Sequence, residues 1–411
     1  MTLHVIGAGM AGLAAAVLAA GRGVPVVMYE SSVRAGGRCR SFFDPTLGCV
    51  IDNGTHLILG ANKGVFAYLK SIGASGSLTP APAAFPFIDL PSGARWTVRP
   101  GSLASLNGTG ARWQDLGGLF RLWRAAPEAT VATCFNNAST LYDRFWHPLT
   151  LAALNTPPEA AAARLLWRVT TEALLRGPAA GRPFLAPNGL EAALVTPAMT
   201  YLAGHGAEIR FSALLRGFNY DGEGRVAALR FAGSTVTVPM GDKVVLAVPP
   251  WSAATILPGL TTPKDVRSIV GAHYRLTPPP DLPGGMLGVT GGTAQWLFTR
   301  GDILSITVSA ADELGALPAP RIAAQLWADA ACALGRSREP LPPYRVIKER
   351  RATIAHTPFE LARRPHAGDA KAPNLWLAGD WTATGLPCTI DGAIRSGTTA
   401  AELALATPAR F

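Results

Sequence analysis

A glycine motif between an apolar strand and an alanine-rich helix is the feature of this sequence that most constrains its fold. Residues 3–6 read LHVI, and Gly7, Gly9 and Gly12 then form the pattern GxGxxG at the head of a helix that begins near Ala11. Gly7 permits a tight turn, Gly9 lets a pyrophosphate approach the backbone, and Gly12 lets helix and strand pack closely. The start of the helix, at Ala11, offers free N–H groups to phosphates.

A second strand and an acidic residue complete this unit. Residues 24–29 read VPVVMY, and Glu30 follows them, where a carboxylate accepts hydrogen bonds from a ribose diol. A GxGxxG pattern by itself also fits a glycine-rich surface turn. Strand, glycines, helix, strand and acid occur here in order, however. The sequence therefore predicts a dinucleotide site on a doubly wound α/β domain.

A further pair of glycines indicates which dinucleotide this is. Gly36, Gly37 and Arg38 begin six residues past Glu30. The glycines suit a wrap around the far side of a pyrophosphate, and the arginine offers it a planar fork of donors. An ordinary surface turn is the alternative, but the position so soon after the ribose acid favours the cradle. A nicotinamide enzyme has no need of a second cradle, so we expect FAD.

The carboxyl-terminal region contains a second candidate segment. Residues 375–378 read LWLA and predict a buried strand, Gly379 and Asp380 follow at its end, and a helix begins near Ile390 and Asp391. Asp380 is placed to bind ribityl hydroxyls. The backbone N–H groups of Ile390 and Asp391 are placed to face the flavin's pyrimidine oxygen and to stabilise negative charge there. An acidic helix start is the simpler interpretation of Asp391, and it is compatible with this role.

These segments together resemble the flavin amine oxidase and carotenoid desaturase superfamily. The first match runs from GAGMAG to GGRCRS and the second from LAGDW to TIDGAIRSG. The resemblance implies an FAD-binding, doubly wound Rossmann-like domain with an inserted α+β substrate domain. It also implies that Lys243 to Pro250 is the returning strand of the nucleotide sheet. A hairpin over Gly206 to Phe218 precedes that strand, and its Leu215 contacts the adenine through the backbone. Cys388 lies in the wrong segment for a covalent flavin bond, so we expect noncovalent FAD.

The length of the chain favours two lobes, because 411 residues exceed what one hydrophobic core usually serves. We expect residues 1–75, 191–250 and 346–411 to form a discontinuous FAD-binding domain. Residues 76–190 and 251–345 carry no nucleotide motif, and the first of these segments is rich in aromatic residues. We expect them to form a substrate-binding domain around an apolar ligand.

Other segments resemble the hydroxysqualene dehydroxylases of bacterial hopanoid synthesis, within the same superfamily. They are Phe145 to Leu166, Ala294 to Gly301 and Glu349 to Pro358, together with LAGDWTATGLP. This resemblance covers nearly the whole chain. It implies an isoprenoid hydrocarbon substrate, hydroxysqualene, which loses its hydroxyl group and becomes squalene with hydride from reduced FAD. Amine oxidases place an aromatic residue at the position of Thr389, which counts against amine oxidation.

Two other functions stay open at this point. A carotenoid or phytoene desaturase runs the same flavin chemistry oxidatively, and the loop DNGTHLILGA, Asp52 to Ala61, resembles that of carotene-type desaturases. A prenyl-lipid escort protein of this fold binds an isoprenoid without catalysis. Escort proteins have degraded flavin motifs, whereas both motifs are intact here.

The desaturase resemblance places one histidine near the flavin ring. His56, in the loop DNGTH, is our candidate proton donor, because imidazole titrates in a range that suits the task. A satisfied structural histidine is the alternative. Asp52 either orients that loop or caps a turn. The sequence contains no second glycine fingerprint for a nicotinamide, so we expect an external electron donor, either a separate reductase or free reduced flavin.

Charge and cysteine content limit the remaining partners. The formal net charge is +10, but the basic residues are scattered, and the densest cluster, Lys348 with Arg350 and Arg351, is short. This argues against nucleic acid and leaves open a peripheral contact with an acidic membrane surface. Five cysteines without paired spacing argue against disulfides and against a metal site. No apolar run is long enough to span a bilayer. We expect a cytoplasmic protein, with or without attachment to the inner face of the cytoplasmic membrane.

Overall fold

A five-stranded parallel sheet forms the centre of the amino- and carboxyl-terminal regions. The computed structural model describes residues 1–102, 108–110 and 115–407. In spatial order the strands are Glu208–Arg210, Val26–Tyr29, Leu3–Ile6, Lys243–Leu246 and Leu375–Leu377. Every neighbouring pair is parallel. Because the chain leaves the central strand toward one side and later returns on the other, the carboxyl end of that strand is a switch point. Ligands bind at such points in open α/β sheets.

Two helices cross beside the switch point. Met10–Gly21 starts directly after the glycine turn, and Ile390–Ala406 packs across it. A Cβ atom added to Gly397 would lie 1.9 Å from the carbonyl oxygen of Ala11. The crossing therefore requires glycine at this position, and it brings the two ends of the chain together.

The predicted hairpin over residues 206–218 is wrong. Its first strand, Glu208–Arg210, pairs in parallel with Val26–Tyr29 at the edge of the nucleotide sheet. Its second strand belongs to a separate antiparallel sheet of Leu215–Tyr220, Val226–Phe231 and Thr235–Thr237. Between the two strands, the Ala213 N–H donates to the Glu30 carbonyl at 2.8 Å. This bond ties the connecting segment to the turn after the second strand, so the chain does not fold back on itself.

A seven-stranded mixed sheet forms the second large layer. Its strands in spatial order are Tyr344–Ile354, Val266–Arg275, Ile303–Val308, Trp296–Arg300, Met286–Thr290, Phe85–Asp89 and Arg95–Val98. All neighbours are antiparallel except Met286–Thr290 and Phe85–Asp89, which are parallel. Helix Ala319–Leu334 covers one face of the sheet and buries Leu326 and Trp327 against it.

A β-hairpin of the amino-terminal region packs on the opposite face of the mixed sheet. Its strands are Ser41–Asp44 and Cys49–Asp52, and its buried Leu47 packs against Ile303 of the sheet. The strand Tyr344–Ile354 runs through the predicted domain boundary at residue 346 as one element. The amino-terminal hairpin and the mixed sheet thus share a close interface, and the exact division into two domains stays a prediction.

Helices fill much of the remaining structure. Leu116–Trp123 and Ala163–Val169 pack together over a core that contains Leu122, Phe145 and Trp146. Further helices are Lys63–Ser71, Val131–Cys134, His147–Leu154, Pro178–Gly181, Thr196–Gly204, Pro250–Ile256, Asp312–Ala316 and Pro358–Ala362. Single turns of tighter or wider helix are Gly37–Cys39, Tyr142–Trp146, Thr170–Leu174, Glu191–Val195 and Pro283–Gly285. A small sheet consists of Ile58–Leu59, Pro183–Leu185 and Thr79–Pro80. Within the described ranges, no helix has both the length and the apolar character needed to cross a membrane.

Candidate cofactor and active site

The first glycine turn has no room for a side chain at two of its three glycines. Gly7 has a φ of +103°, and a Cβ atom there would lie 2.5 Å from the Ala247 carbonyl oxygen. At Gly12 a Cβ atom would lie 1.8 Å from the carbonyl oxygen of Gly7. Neither neighbour is the flexible end of a side chain, because both atoms belong to backbone next to central strands. The turn therefore requires glycine at both positions.

Gly9 differs, because the space beside it is open. Within the described structure, no contact lies within 4 Å of a Cβ atom built on Gly9. The second glycine pair approaches from the other side, where the Gly36 N–H donates to the Ala8 carbonyl at 2.8 Å. A Cβ on Gly37 would lie 3.4 Å from the Gly9 Cα atom. The two glycine segments thus border a groove without side chains, and a phosphate can approach such backbone closely.

Glu30 lies at the edge of this groove. Its Oε2 atom accepts from the Ala8 N–H at 2.8 Å, and its Oε1 atom accepts from the Ser32 N–H at 2.8 Å. The Ser31 hydroxyl also donates to Oε1, at 3.2 Å. These bonds hold the half-buried carboxylate against the glycine turn, and Oε2 keeps a lone pair for a ribose hydroxyl. Leu215, the predicted adenine contact, is buried two residues after Ala213, which is itself bonded to Glu30.

Arg38 links the amino-terminal glycine segment to the carboxyl-terminal one. Its Nη2 atom donates to Asp380 Oδ1 at 2.7 Å, and its Nη1 atom donates to the Ala352 carbonyl of the mixed sheet. The Asp380 side chain is 8% exposed, whereas 44% of the Arg38 side chain is exposed, so the guanidinium stays accessible to an anion. The Gly379 N–H next to Asp380 donates to Ser396 Oγ at 3.0 Å, which fixes this turn on the last helix.

The last helix begins with two backbone N–H groups, those of Ile390 and Asp391, that no acceptor in the described part of the chain uses. The Asp391 carboxylate turns elsewhere, since Oδ1 accepts from the Val65 N–H at 3.0 Å and Oδ2 pairs with Arg395 at 2.8 Å. Burial raises the pKa of Asp391, although Arg395 opposes this shift. The Asp391 side chain thus anchors the helix. The positive end of the helix dipole stays free to face a ligand.

These features fit FAD. The groove provides a phosphate cradle free of side chains, an accessible guanidinium, a carboxylate for ribose and a helix start with unused N–H groups. They extend from the first strand to the last helix, as an elongated dinucleotide requires. The family comparison agrees, because the chain matches the model of flavin containing amine oxidoreductases over residues 10–405. The chain belongs to the flavin-containing amine oxidoreductase family.

Solved structures of similar fold include proteins with different activities. Wild-type putrescine oxidase bound to putrescine has a TM-score of 0.72 at 17% identity, covering 98% of this chain and 99% of that one. An oxidoreductase from Methanosarcina mazei has a TM-score of 0.74 at 12% identity, covering 98% and 100%. These likenesses confirm the predicted fold class, the doubly wound FAD-binding fold with an inserted substrate domain.

Curated relatives are similar over their full length. A hydroxysqualene dehydroxylase from Rhodopseudomonas palustris is 44% identical over 415 residues, and the match covers 98% of both chains. Proteins of the same name from Sinorhizobium fredii and Zymomonas mobilis are 44% and 38% identical, again over 98% of each chain. Zeta-carotene desaturase from Solanum lycopersicum is 37% identical over only 78 residues, which is 19% of this chain. The predicted cofactor is confirmed, and the chain is an FAD-dependent oxidoreductase of this family.

His56 lies in the loop between the hairpin and the strand Ile58–Leu59. Its side chain is exposed, yet the surrounding protein desolvates the ring and lowers the pKa of His56; the positive charge of Arg38 adds to this effect and Asp52 opposes it. Among the described residues none forms a hydrogen bond with this ring.

Asp52 is buried and fully engaged by protein. Its Oδ1 atom accepts from the Ser41 hydroxyl at 2.6 Å and from the Leu190 N–H at 2.9 Å, while Oδ2 pairs with Arg300 at 2.8 Å. These bonds connect the hairpin, the mixed sheet and the segment before Glu191. Asp52 therefore ties three segments together at the base of the loop that carries His56.

Sequence reasoning missed Arg364, a buried cation behind the carboxyl-terminal turn. Its guanidinium donates to the Leu386 carbonyl at 2.6 Å, to the Asp380 carbonyl at 2.7 Å and to the Thr384 hydroxyl at 2.9 Å. Burial lowers the pKa of Arg364. The residue thereby shapes the loop between the strand end and the last helix. No motif surrounds Arg364 in the sequence, so its role had no local signal.

His356 is the second residue that was missed. Its Nε2 atom accepts from the Cys388 N–H at 2.9 Å, and its Nδ1 atom donates to the Leu154 carbonyl. Burial lowers the pKa of His356 to about 4, which keeps the ring neutral and fits this pair of bonds. His356 thus joins the substrate lobe to the flavin segment. It lies within the segment ERRATIAHTP, whose family resemblance was the available signal.

The cysteines are free thiols. Cys388, the cysteine nearest in sequence to the start of the last helix, is buried, and burial raises the pKa of its thiol to about 12. It is therefore uncharged near neutral pH and a poor nucleophile. Over the described ranges, no group of three or more His, Cys, Asp or Glu side chains is arranged to hold a metal ion.

Proposed function

We propose that this protein removes the hydroxyl group of hydroxysqualene and forms squalene, with reduced FAD as the source of hydride. The observation that carries the proposal is the full-length similarity to relatives of that name, at up to 44% identity over 98% of both chains. The geometry supports it, because both ends of the FAD groove are intact and an apolar lobe lies against them. A lipid-binding protein without catalysis has no need of the intact groove.

The residues proposed to hold FAD are Gly7, Gly9, Ala11, Gly12, Glu30, Gly36, Gly37, Arg38, Leu215, Gly379, Asp380, Ile390 and Asp391. The glycines and Arg38 bind the pyrophosphate, and Glu30 binds the ribose. The N–H groups at the start of the last helix stabilise negative charge on the flavin ring. When it is bound and reduced, FAD supplies hydride to an electron-poor carbon.

The overall reaction consumes one hydride and one proton. Protonation of the allylic hydroxyl lets the C–O bond break with loss of water, and the resulting carbon cation is delocalised over the neighbouring double bond. The same carbon then accepts the hydride in a new C–H bond, which yields squalene. The protein must hold that carbon in place, keep bulk water away from the cation and deliver the proton to the hydroxyl oxygen.

His56 is the proposed proton donor. Its ring has no hydrogen bond to the described residues, and it lies close enough to Arg38 for that charge to lower its pKa. A protonated ring with a lowered pKa is a stronger acid than ordinary imidazolium, which suits a weakly basic alcohol. Asp52 is the proposed positioning residue, because its bonds to Ser41 and Arg300 hold the base of the loop.

An aromatic wall on the mixed sheet is the proposed support for the hydrocarbon. The Trp296 ring lies 6.2 Å from Phe85, 5.2 Å from Phe87 and 6.2 Å from Phe298, measured between centroids. Trp296 and Phe85 are only half-buried, so their surfaces remain available to a ligand. Such a wall binds an isoprenoid chain through apolar area and keeps water from the cation.

A single-turnover experiment tests the function. FAD in the purified protein is photoreduced without oxygen, mixed with hydroxysqualene, and followed by flavin absorbance and by product analysis. We expect one squalene for each flavin reoxidised. Reoxidation without squalene, or no reoxidation by hydroxysqualene, contradicts the proposal. Oxidised protein mixed with hydroxysqualene is the matched control and yields no squalene.

The short match to zeta-carotene desaturases favours one alternative, oxidative desaturation of a carotenoid precursor by the same groove. Incubation of the oxidised protein with phytoene separates the two reactions. New conjugated double bonds, seen as visible absorbance, support the alternative. Their absence, together with squalene from the reduced protein, supports dehydroxylation.

The proposal includes an external electron donor and a peripheral position at a membrane. No second glycine fingerprint for a nicotinamide occurs in the sequence. A separate reductase or free reduced flavin therefore delivers the electrons. Rapid oxidation of NADPH by the purified protein alone contradicts this part of the proposal.

A further inference from the structure

The helix Leu116–Trp123 carries two large aromatic side chains on the molecular surface. Phe120 is 55% exposed and Trp123 is 58% exposed, and their rings meet edge to face with centroids 5.7 Å apart. They are three residues apart and therefore share one side of the helix. Leu122 is completely buried, so the opposite side attaches the helix to the lobe. The exposed pair contributes little to the fold, and such a surface usually meets a partner.

Three exposed arginines lie around this pair. The Arg124 guanidinium lies 5.7 Å from the centroid of the Phe120 ring. Arg121 and Arg164 donate to backbone carbonyls, at 2.8 Å and 3.2 Å, and the Arg164 bond reaches the segment just beyond the helix end. Within the described ranges, none of the three forms an ion pair with a carboxylate. Their positive charges are therefore available to an anionic partner.

A second exposed aromatic surface has a different charge. Phe43, 63% exposed, faces Val50, 47% exposed, across the β-hairpin. The arginines beside it already have partners, since Arg345 pairs with Asp44 at 3.5 Å and Arg275 also pairs with a carboxylate. This hairpin surface offers apolar area without unbalanced positive charge. It serves as an internal comparison for the first surface.

We propose that the first surface docks the protein on a bilayer that contains anionic lipids. The surface consists of Phe120, Arg121, Trp123, Arg124 and Arg164, and we name it the aromatic–arginine surface. Aromatic rings favour the interface between headgroups and acyl chains, and arginines are attracted to anionic headgroups. The two features occur together here and not on the hairpin surface.

The position of this surface agrees with the substrate. Its helix packs on the cluster that contains Leu122, Trp146 and Phe87, and Trp296 of the aromatic wall packs against the same cluster. Docking there places the bilayer on the side of the lobe proposed to hold the hydrocarbon. The inference rests on the proposed function only in this respect, because vesicle binding itself requires no turnover.

Vesicle sedimentation of the FAD-loaded protein tests the docking. We expect binding to vesicles of phosphatidylcholine with phosphatidylglycerol, weaker binding at high salt, and little binding to phosphatidylcholine alone. The double variant Phe120→Ser with Trp123→Ser is expected to bind at least roughly tenfold more weakly. Arg124→Gln is expected to bind roughly fivefold more weakly, as for one arginine near an anionic surface. All these side chains are exposed, so thermal unfolding of the variants stays near that of the parent protein.

Phe43→Ser is the matched control, because it removes an equally exposed aromatic ring from the hairpin surface. It is expected to bind as the parent protein does. Parent-like binding of the Phe120 and Trp123 double variant overturns the proposal, as does equal binding to vesicles without anionic lipid. Dehydroxylation of detergent-dispersed hydroxysqualene is measured in parallel and is expected to be unaffected by the double variant. If the parent protein lacks this activity, the proposed function is wrong, but the result of the vesicle experiment remains valid.

Discussion

The FAD groove and the substrate lobe are specified by different kinds of interaction. In the groove, backbone meets backbone: a Cβ atom on Gly12 would lie 1.8 Å from the Gly7 carbonyl oxygen. In the lobe, side chains meet side chains: the Phe87 and Trp96 rings stack at 5.5 Å. A backbone approach as close as that at Gly12 permits only glycine. Apolar packing between side chains accepts other residues of similar volume. The groove therefore leaves a readable motif in the sequence, and the lobe leaves only an apolar composition.

Among the tests of this comparison, alanine substitutions within the first glycine turn are expected to have the largest effects on stability and FAD affinity. Gly12→Ala forces backbone apart, which we expect to cost about 3 kcal/mol of folding free energy or more and to abolish FAD binding. Gly9→Ala meets no protein atom within 4 Å, so the stability of the FAD-free protein should change by less than about 0.5 kcal/mol. Its FAD affinity should still fall, because the open space is where we expect the phosphates. Thermal unfolding of the FAD-free protein and flavin fluorescence titration measure the two quantities. An unchanged FAD affinity in Gly9→Ala would show that the phosphates approach elsewhere.

Substitution of His56 addresses the junction of the two regions. His56→Gln is expected to slow single-turnover dehydroxylation roughly a hundredfold, as for loss of a general acid, with unchanged FAD affinity and stability. Burial and Arg38 lower the pKa of His56 below 6.5, against Asp52. The rate of the parent protein should therefore rise as the pH falls through that lowered pKa, and the rise should be absent in the variant. Stopped-flow flavin reoxidation across pH measures both. A variant that keeps the rise would assign the proton to another group.

The same contrast explains how far the sequence alone reached. The strand before Gly7, the helix after it and the strand that begins at Lys243 were predicted correctly, because each depends on a local pattern. The hairpin over residues 206–218 was wrong, since its two strands join different sheets through bonds to the turn after Glu30. No local pattern encodes that choice.

The lobe shows the limit more clearly. The contact between His356 and the Cys388 N–H joins residues 32 positions apart in sequence, and the one between His356 and the Leu154 carbonyl joins residues 202 apart. Arg364 likewise acts on backbone carbonyls rather than on a recognisable partner. Interactions of this kind depend on tertiary packing, which periodicity and spacing do not report. Family resemblance pointed to the segment with His356 but not to its role.

His356 contacts both the flavin segment and the substrate lobe, and its protonation should lower the stability of the folded protein. Its pKa is about 4 in the folded protein, below the ordinary value of 6.5, with burial as the main cause, Arg364 adding to it and Asp380 opposing it. Below pH 6.5 the unfolded chain binds a proton that the folded protein excludes, so stability falls as the pH drops toward 4. The loss amounts to about 2 kcal/mol at pH 5. His356→Gln keeps one donor and one acceptor without titrating, so its stability should fall less between pH 7 and pH 5. Denaturant unfolding at both pH values measures the difference.

A second buried histidine provides the control for that measurement. His273, in the mixed sheet, also has a pKa lowered to about 4 by burial, and its Nδ1 atom bonds to Ser305 Oγ at 2.8 Å. His273→Gln should reduce the pH dependence to a similar extent without touching the flavin segment. A pH dependence that is the same in His356→Gln and in the parent protein contradicts the neutral-histidine account.

The smallest expected effect concerns the ion pair between Arg38 and Asp380. Asp380→Asn should cost the FAD-free protein only about 1 kcal/mol, because 44% of the Arg38 side chain is exposed and solvent screens the pair. The asparagine amide can still hydrogen-bond a ribityl hydroxyl. With FAD bound, the pyrophosphate would serve as a second anionic partner for Arg38, so the loss should shrink. Asp302→Asn removes the partner of Arg275 at a surface pair remote from the groove, and its effect should be equal with and without FAD. Thermal unfolding of both variants, with and without FAD, measures these changes in stability. If Asp380→Asn lowers stability equally with and without FAD, Arg38 contacts no phosphate, and only the glycines form the phosphate site.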